Sequence, residues 1–190
     1  MMIELCNKLI DNDLSRKDLL DRIEIQKTNE DDFDKICETL AKGFNLKSVE
    51  EAAMQLLYSH VLIEESIKLV DKENGDIYGL LMFCEYPIKV GSPILFEEPN
   101  LSQYLNDFSQ VNGHSFIIDE RLRGTNLDKK MLYHNIKFLS KNYDFIWIGV
   151  EESLGTFRYW ERLGFTEVFR IPQAAFYLAP LSQKMINEYL

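Results

Sequence analysis

The sequence predicts an α/β fold, a central mixed β-sheet flanked by helices. Three observations carry that expectation. From residue 113 onward, short apolar runs of strand character alternate with helical patterns, as in parallel strands beside crossover helices. Earlier, two amphipathic helix patterns separate the first strand from an Asn-Gly hairpin. The chain has 190 residues, 46% of them hydrophobic and 12% aromatic, which is enough for one core and a single domain over residues 1–190.

Taken in order, residues 3–22 mix apolar and charged positions as one or two short helices would, forming an N-terminal helical extension over residues 1–22. Ile23-Glu24-Ile25-Gln26 alternates like a strand. Thr28, or Asn29 beside it, caps a helix that carries Glu30, Asp31 and Asp32 in its first turn and Phe33, Ile36, Cys37 and Leu40 on one face, with Gly43 stopping it. Ser48 and Glu51 form a capping-box pattern ahead of Ala52, Leu56, Leu57 and Val61. Residues 66–71 and 76–85 read as strands joined by Lys72-Glu73-Asn74-Gly75, where Asn-Gly supplies a positive φ. Residues 87–112, with Pro93 and Pro99 and a helix pattern at 101–108, read as an insertion. The remaining elements are strand 115–119, helix 127–139, strand 145–150, helix 154–162 and strands 165–170 and 174–178.

Composition narrows the function classes. Asp and Glu number 31 against 21 Lys and Arg, and a formal charge of −10 repels phosphate backbones, so no nucleic-acid partner is expected. No run approaches the roughly eighteen apolar residues of a membrane span, so no membrane partner and a cytoplasmic location are expected. Cys6, Cys37 and Cys84 are scattered without ligand spacing, which supports neither a disulfide framework nor a metal site. His60, His114 and His134 are isolated and read as structural or surface residues.

At residues 116–132 an apolar strand, Phe116-Ile117-Ile118-Asp119, passes through Glu120-Arg121-Leu122-Arg123-Gly124-Thr125-Asn126 directly into a helix beginning Leu127-Asp128. Such a turn aims backbone N–H groups and the positive end of a helix at one point, an arrangement suited to a pyrophosphate. These residues resemble the loop (Q/R)-x-x-G-x-(G/A) of the GNAT superfamily of acyl-CoA N-acyltransferases, with Arg123 in the first position. Asp76-Ile77-Tyr78-Gly79-Leu80-Leu81 is similar to the family's third strand, and Tyr159-Trp160-Glu161-Arg162-Leu163-Gly164-Phe165 to its late aromatic-E-K-x-G-F signature. The resemblance covers residues 23–180 and depends mainly on the order and spacing of the three motifs. Two positions depart from it: Asn126 and Asp128 stand where the family has small residues. Asn tolerates left-handed backbone geometry, whereas a carboxylate at Asp128 suits the helix dipole and repels phosphate.

The resemblance implies a cofactor-binding core over residues 113–165 that takes acetyl-CoA as co-substrate. Its implied binding set is Ile118, Asp119, Arg123, Gly124, Thr125, Asn126, Leu127, Asp128 and Ser153, with the N–H near Ile118 donating to the thioester carbonyl. Ser153 aligns with an asparagine that touches the pantetheine arm; it either hydrogen-bonds there or caps the following helix. For catalysis, a general base is sought at Glu85 or Glu120 and a general acid at Tyr159, since the usual acid position holds Trp160. Glu151 and Glu152 precede the late helix, and Cys84 reads as a small buried hydrophobe. The implied function is acetyl transfer to a primary amine of a small molecule or protein. The alternative is a non-catalytic sensing or interaction module on the same fold with weakened CoA binding. The family often dimerises, and residues 181–190 are amphipathic enough to serve a homodimer.

Overall fold

The computed structural model describes residues 16–85 and 108–181. It contains β1 (Ile23–Lys27), β2 (Ile67–Asp71), β3 (Ile77–Cys84), β4 (Gln110–Ile118), β5 (Phe145–Glu151), β6 (Thr166–Ile171) and β7 (Ala174–Pro180). Its helices are α1 (Arg16–Arg22), α2 (Phe33–Gly43), α3 (Val49–Tyr58), α4 (Leu127–Leu139) and α5 (Phe157–Arg162). The strands form one seven-stranded sheet in the order β1-β2-β3-β4-β5-β7-β6. The α/β class with a mixed sheet is therefore as the sequence predicts. Pairing is antiparallel for β1–β2, β2–β3, β5–β7 and β6–β7, and parallel for β4–β5 over Gln110–Gly113 against Phe145–Ile148. The expected parallel crossover fails after β5: β7 takes the place beside it, and among the described strands β6 pairs with β7 alone.

Two compact units share the chain. One comprises the chain up to Phe83 together with Ser115–Asn135, and the other comprises Cys84–His114 together with the chain from Ile136. In the first unit, α2 and α3 bury Ile36, Cys37, Leu40, Ala52 and Leu56 against Ile77, Leu80 and Met82 of β3. Burying each large aliphatic side chain stabilises the fold by roughly 1.5–3 kcal/mol. Capping departs in part from the sequence reading: the acidic turn expected to open the helix is a separate 3₁₀ turn, Glu30–Asp32, with Asn29 at its N-cap, and Asp32 is the N-cap of α2 itself. The Asn29 N–H donates to the Asp32 carboxylate at 2.9 Å, and Ser48 Oγ accepts from the Glu51 N–H at 3.2 Å. α2 ends at Gly43 as expected, but without a positive φ there; the left-handed residue after the helix is Asn45, φ 52°. A Cβ at Gly43 would stand 2.5 Å from Ile117 Cδ1, so glycine is needed here to let α2 approach β4 closely.

The Lys72–Gly75 turn forms as predicted, with Gly75 at φ 73° and its N–H donating to the Asp71 carbonyl at 2.8 Å. Asp71 is fully buried and paired with Arg22, whose Nε donates to it at 3.1 Å. In the second unit Phe108, Phe145, Trp147 and Leu178 form a core joined by Val168 and Phe176.

Several boundaries move. β4 begins at Gln110, five residues before the predicted strand, so Asn112 is ladder rather than insertion. The helix expected over 154–162 is a 3₁₀ turn at Glu152–Leu154 followed by α5, with Gly155 left-handed at φ 60° between them. Of the helices predicted over 3–22, α1 falls among the described residues; residues 1–15, the predicted insertion helix at 101–108 up to residue 107, and residues 182–190 lie outside them. Among the described residues no helix is long and apolar enough to cross a membrane.

Candidate active site

β4 ends at Ile118, and the chain then turns tightly on hydrogen bonds of its own. The Asp119 N–H donates to the Tyr78 carbonyl at 2.8 Å, tying the turn to β3 at an irregularity in the β2–β3 ladder. Asp119 then caps the 3₁₀ turn Glu120–Leu122. One carboxylate oxygen accepts from the Arg121 N–H and from Arg121 Nε, both at 2.9 Å, and the other from Arg121 Nη2 at 3.1 Å. The Asp119 hydrogen bond raises the Arg121 pKa further, and the guanidinium sits 5.4 Å from the centre of the Tyr78 ring. Burial pushes the Tyr78 hydroxyl up, with the Arg121 charge working in the opposite sense. Leu122, fully buried, anchors the turn from below.

Beyond Leu122 the backbone opens. The Arg123 N–H donates to Glu120 and the Thr125 N–H and hydroxyl both donate to the Leu122 carbonyl, the hydroxyl at 2.6 Å. Gly124 has φ 74° and Asn126 φ 64°, and α4 begins when the Lys130 N–H donates to the Asn126 carbonyl at 3.0 Å. The two left-handed residues flank Thr125, whose N–H is taken up within the turn. The N–H groups of Gly124, Asn126 and Leu127 meet no acceptor among the described residues. This is the donor set of an anion cradle at the start of a thirteen-residue helix, and it fits a diphosphate. Asn126 therefore takes the left-handed geometry that the resemblance implies for its position. Asp128, half-buried in the first turn of α4, places a carboxylate on the same helix end.

The expected catalytic residues fall in different units. Glu120, half-buried, sits in the 3₁₀ turn of the first unit with the cradle, whereas Glu85 and Tyr159 belong to the second. Glu85 is exposed, one residue past the end of β3. Tyr159 is half-buried on α5, and its ring meets Trp160 edge-on at 5.3 Å. Trp160 itself is buried and meets Phe165 edge-on at 5.4 Å, so the residue in the usual acid position is a core side chain. Ser153 does not cap α5, whose N-cap is Thr156; its hydroxyl instead donates to Glu151 at 3.3 Å, in a depression also lined by Glu152, Pro172, Gln173 and Ala174. Cys37 and Cys84 are buried, and neither forms a disulfide among the described residues. His60 has φ 51°, His134 is exposed on α4, and His114 is half-buried in β4, where burial pushes its imidazole pKa down.

Sequence reasoning missed a second cluster on α5, β6 and β7. Tyr177 is fully buried, stacks on Phe157 at 6.3 Å and donates from its hydroxyl to Glu167 at 3.1 Å, while Arg170 lies 4.4 Å over Phe157 and pairs with Glu167. It also missed Arg16, which reaches the cradle from α1 and donates to the Arg123 carbonyl at 2.8 Å. Contacts between residues this far apart in the chain leave no local pattern to read.

No family model matches the chain, and no curated protein matches its sequence. Solved structures do match in fold. One is a GNAT family N-acetyltransferase (YhbS) from Escherichia coli in complex with CoA, 21% identical, with a TM-score of 0.61 over 88% of this chain and 86% of that one. Another is the ribosomal-protein-S18-alanine N-acetyltransferase from Escherichia coli, 16% identical, TM-score 0.57, covering 88% of this chain and 99% of that one. A third is an aminoglycoside 6'-N-acetyltransferase complexed with coenzyme A, 11% identical, TM-score 0.57, covering 84% and 97%. The fold is thus that of the GNAT N-acetyltransferases.

Proposed function

We propose that the protein is an N-acetyltransferase, moving an acetyl group from acetyl-CoA to a primary amine of a small molecule or a protein by direct attack. The observation that carries this reading is the cradle at residues 119–128, where Gly124 and Asn126 are left-handed and the N–H groups of Gly124, Asn126 and Leu127 meet no acceptor among the described residues at the start of α4. The GNAT fold and the CoA in two of the matched structures support the same reading. Gly124, Asn126 and Leu127 would hold the diphosphate through backbone donors, with Thr125 closing the turn on the Leu122 carbonyl and Arg123 contributing charge. Acetyl-CoA supplies an activated acyl thioester. The Ile118 N–H is the proposed donor to its carbonyl oxygen, and a donor fixed before reaction stabilises charge there without reorganising. Glu120 or Glu85 takes a proton from the acceptor ammonium; the amine nitrogen forms the new bond to the acyl carbon as the carbon–sulfur bond breaks. Tyr159 returns a proton to the thiolate.

One observation favours a second reading. Trp160 is buried between aromatic rings where the family has its acid, and an indole N–H donates no proton at neutral pH. Together with Asp128 this is what a non-catalytic sensing module with weakened CoA binding would show. The two readings separate on ligand-dependent melting, because a ligand that binds only the folded state stabilises it by mass action, by about 2.7 kcal/mol at a hundredfold excess over Kd. The enzyme reading expects a dose-dependent rise in melting temperature of the wild type with acetyl-CoA, and amine-dependent release of free thiol. In Asp128→Gly the loss of a carboxylate near phosphate should tighten binding roughly fivefold, the effect of about 1 kcal/mol. A rise confined to Asp128→Gly selects the module. No rise in either protein rejects the cofactor site.

A further inference from the structure

α1 packs against the 3₁₀ turn at Glu120–Leu122, and this brings Arg16 to the cradle. Its Nη2 donates to the Arg123 carbonyl at 2.8 Å and is the nearest atom, at 4.0 Å, to the place a Cβ on Gly124 would occupy. One donor of a five-donor guanidinium is thereby committed. Among the described residues, Arg22, Lys68, Arg121 and Arg170 each pair with a carboxylate, whereas neither Arg16 nor Arg123 does. Two guanidinium groups without a carboxylate partner among the described residues therefore meet at one turn, in a chain with 31 acidic and 21 basic residues. Arg121, though closer in sequence, is held by Asp119 and the Tyr78 ring. Arg16 thus brings a guanidinium from α1 to the Arg123–Gly124 stretch of the cradle, alongside that of Arg123 itself.

We propose that Arg16 is a phosphate-binding residue of the CoA site, supplied by the N-terminal helix, and that its guanidinium offsets Asp128; this rests on the acyl-CoA reading above. Binding of CoA and of dephospho-CoA by calorimetry tests it in wild type, Arg16→Ala and Arg16→Lys, at two salt concentrations. Arg16→Ala should weaken CoA binding about tenfold, or about 1.4 kcal/mol, with a shallower salt dependence. Arg16→Lys should recover most of the loss, because the charge returns even though the planar fork does not. The unliganded melting temperature should stay within about 2 °C of wild type, as for an exposed single hydrogen bond. An equal loss with dephospho-CoA assigns the contact to the diphosphate, and a loss seen only with CoA assigns it to the 3′-phosphate; both support the proposal. Unchanged affinity in Arg16→Ala overturns it. So does a loss that Arg16→Lys fails to recover while the unliganded melting temperature falls in both variants, since Arg16 would then only prop the turn. A wild type that binds no CoA overturns the acyl-CoA reading as well.

Discussion

At Asn126 the backbone holds φ 64°, the left-handed geometry that a glycine in that family position would take; at Trp160 a bulky indole is packed edge-on between Tyr159 and Phe165. Both positions depart from the GNAT pattern, yet the consequences differ. The cradle would act through main-chain N–H groups, so any residue that tolerates positive φ preserves the donors, and Asn is among the few that do. The late helix would act through a side-chain hydroxyl, and no rearrangement of backbone gives an indole that chemistry. Departures from a motif thus carry different weight depending on whether backbone or side chain performs the function.

The largest effect that tests this contrast lies at Trp160. As a core residue, Trp160→Ala should cost about 3–5 kcal/mol and lower the melting temperature by roughly 10 °C, read by calorimetry. Trp160→Tyr separates packing from chemistry. It should lose much less stability, and a gain in thiol-release rate would show that the position still faces the reacting groups. A variant with Ala at 160 that melts like wild type would contradict the assignment of Trp160 to the core.

The corresponding change in the cradle is Asn126→Val. A β-branched residue at φ 64° is strained by about 1–2 kcal/mol, and the turn relieves that strain by rotating the N–H donors away. The expected outcome is a modest fall in melting temperature with a loss of CoA affinity of at least tenfold, while Asn126→Gly keeps wild-type affinity. If Val and Gly bind CoA equally well, the left-handed backbone is not what holds the ligand.

How legible each region was in the sequence follows the same division. The Leu127–Leu139 helix and the turn closed by Gly75 were readable because each rests on local periodicity or local φ demands. The start of β4 was not. Gln110, Asn112 and Gly113 are poor strand formers, and they are held in the ladder by pairing with Phe145, Trp147 and Ile148, more than thirty residues further along the chain. At Gly113 a Cβ would meet Ile148 Cγ2 at 2.6 Å, a packing reason for glycine that no turn pattern announces. Likewise, Arg123, Gly124 and Asn126 could be singled out from spacing, whereas Arg16 could not, since its only cue is a hydrogen bond across 107 positions.

The smallest expected effect concerns the side-chain cluster beside α5. The hydrogen bond from Arg170, assisted by the Tyr177 hydroxyl, holds the Glu167 carboxyl below its ordinary value of 4.5, with burial working the other way. A carboxyl depressed in the folded state contributes its stability above the unfolded-state pKa and loses it as pH falls through the folded-state value. Glu167 is partly exposed, so water and salt screen the pair and its contribution should stay below about 1 kcal/mol. Glu167→Gln should therefore melt slightly below wild type at pH 7, by about 2–4 °C at most, and the two melting curves should converge as pH is lowered beneath 4.5. A gap that persists into acid would mean that Glu167 acts through its hydrogen bond with the buried Tyr177, which a neutral amide also disturbs, and that the order of this region depends on side-chain shape more than on charge.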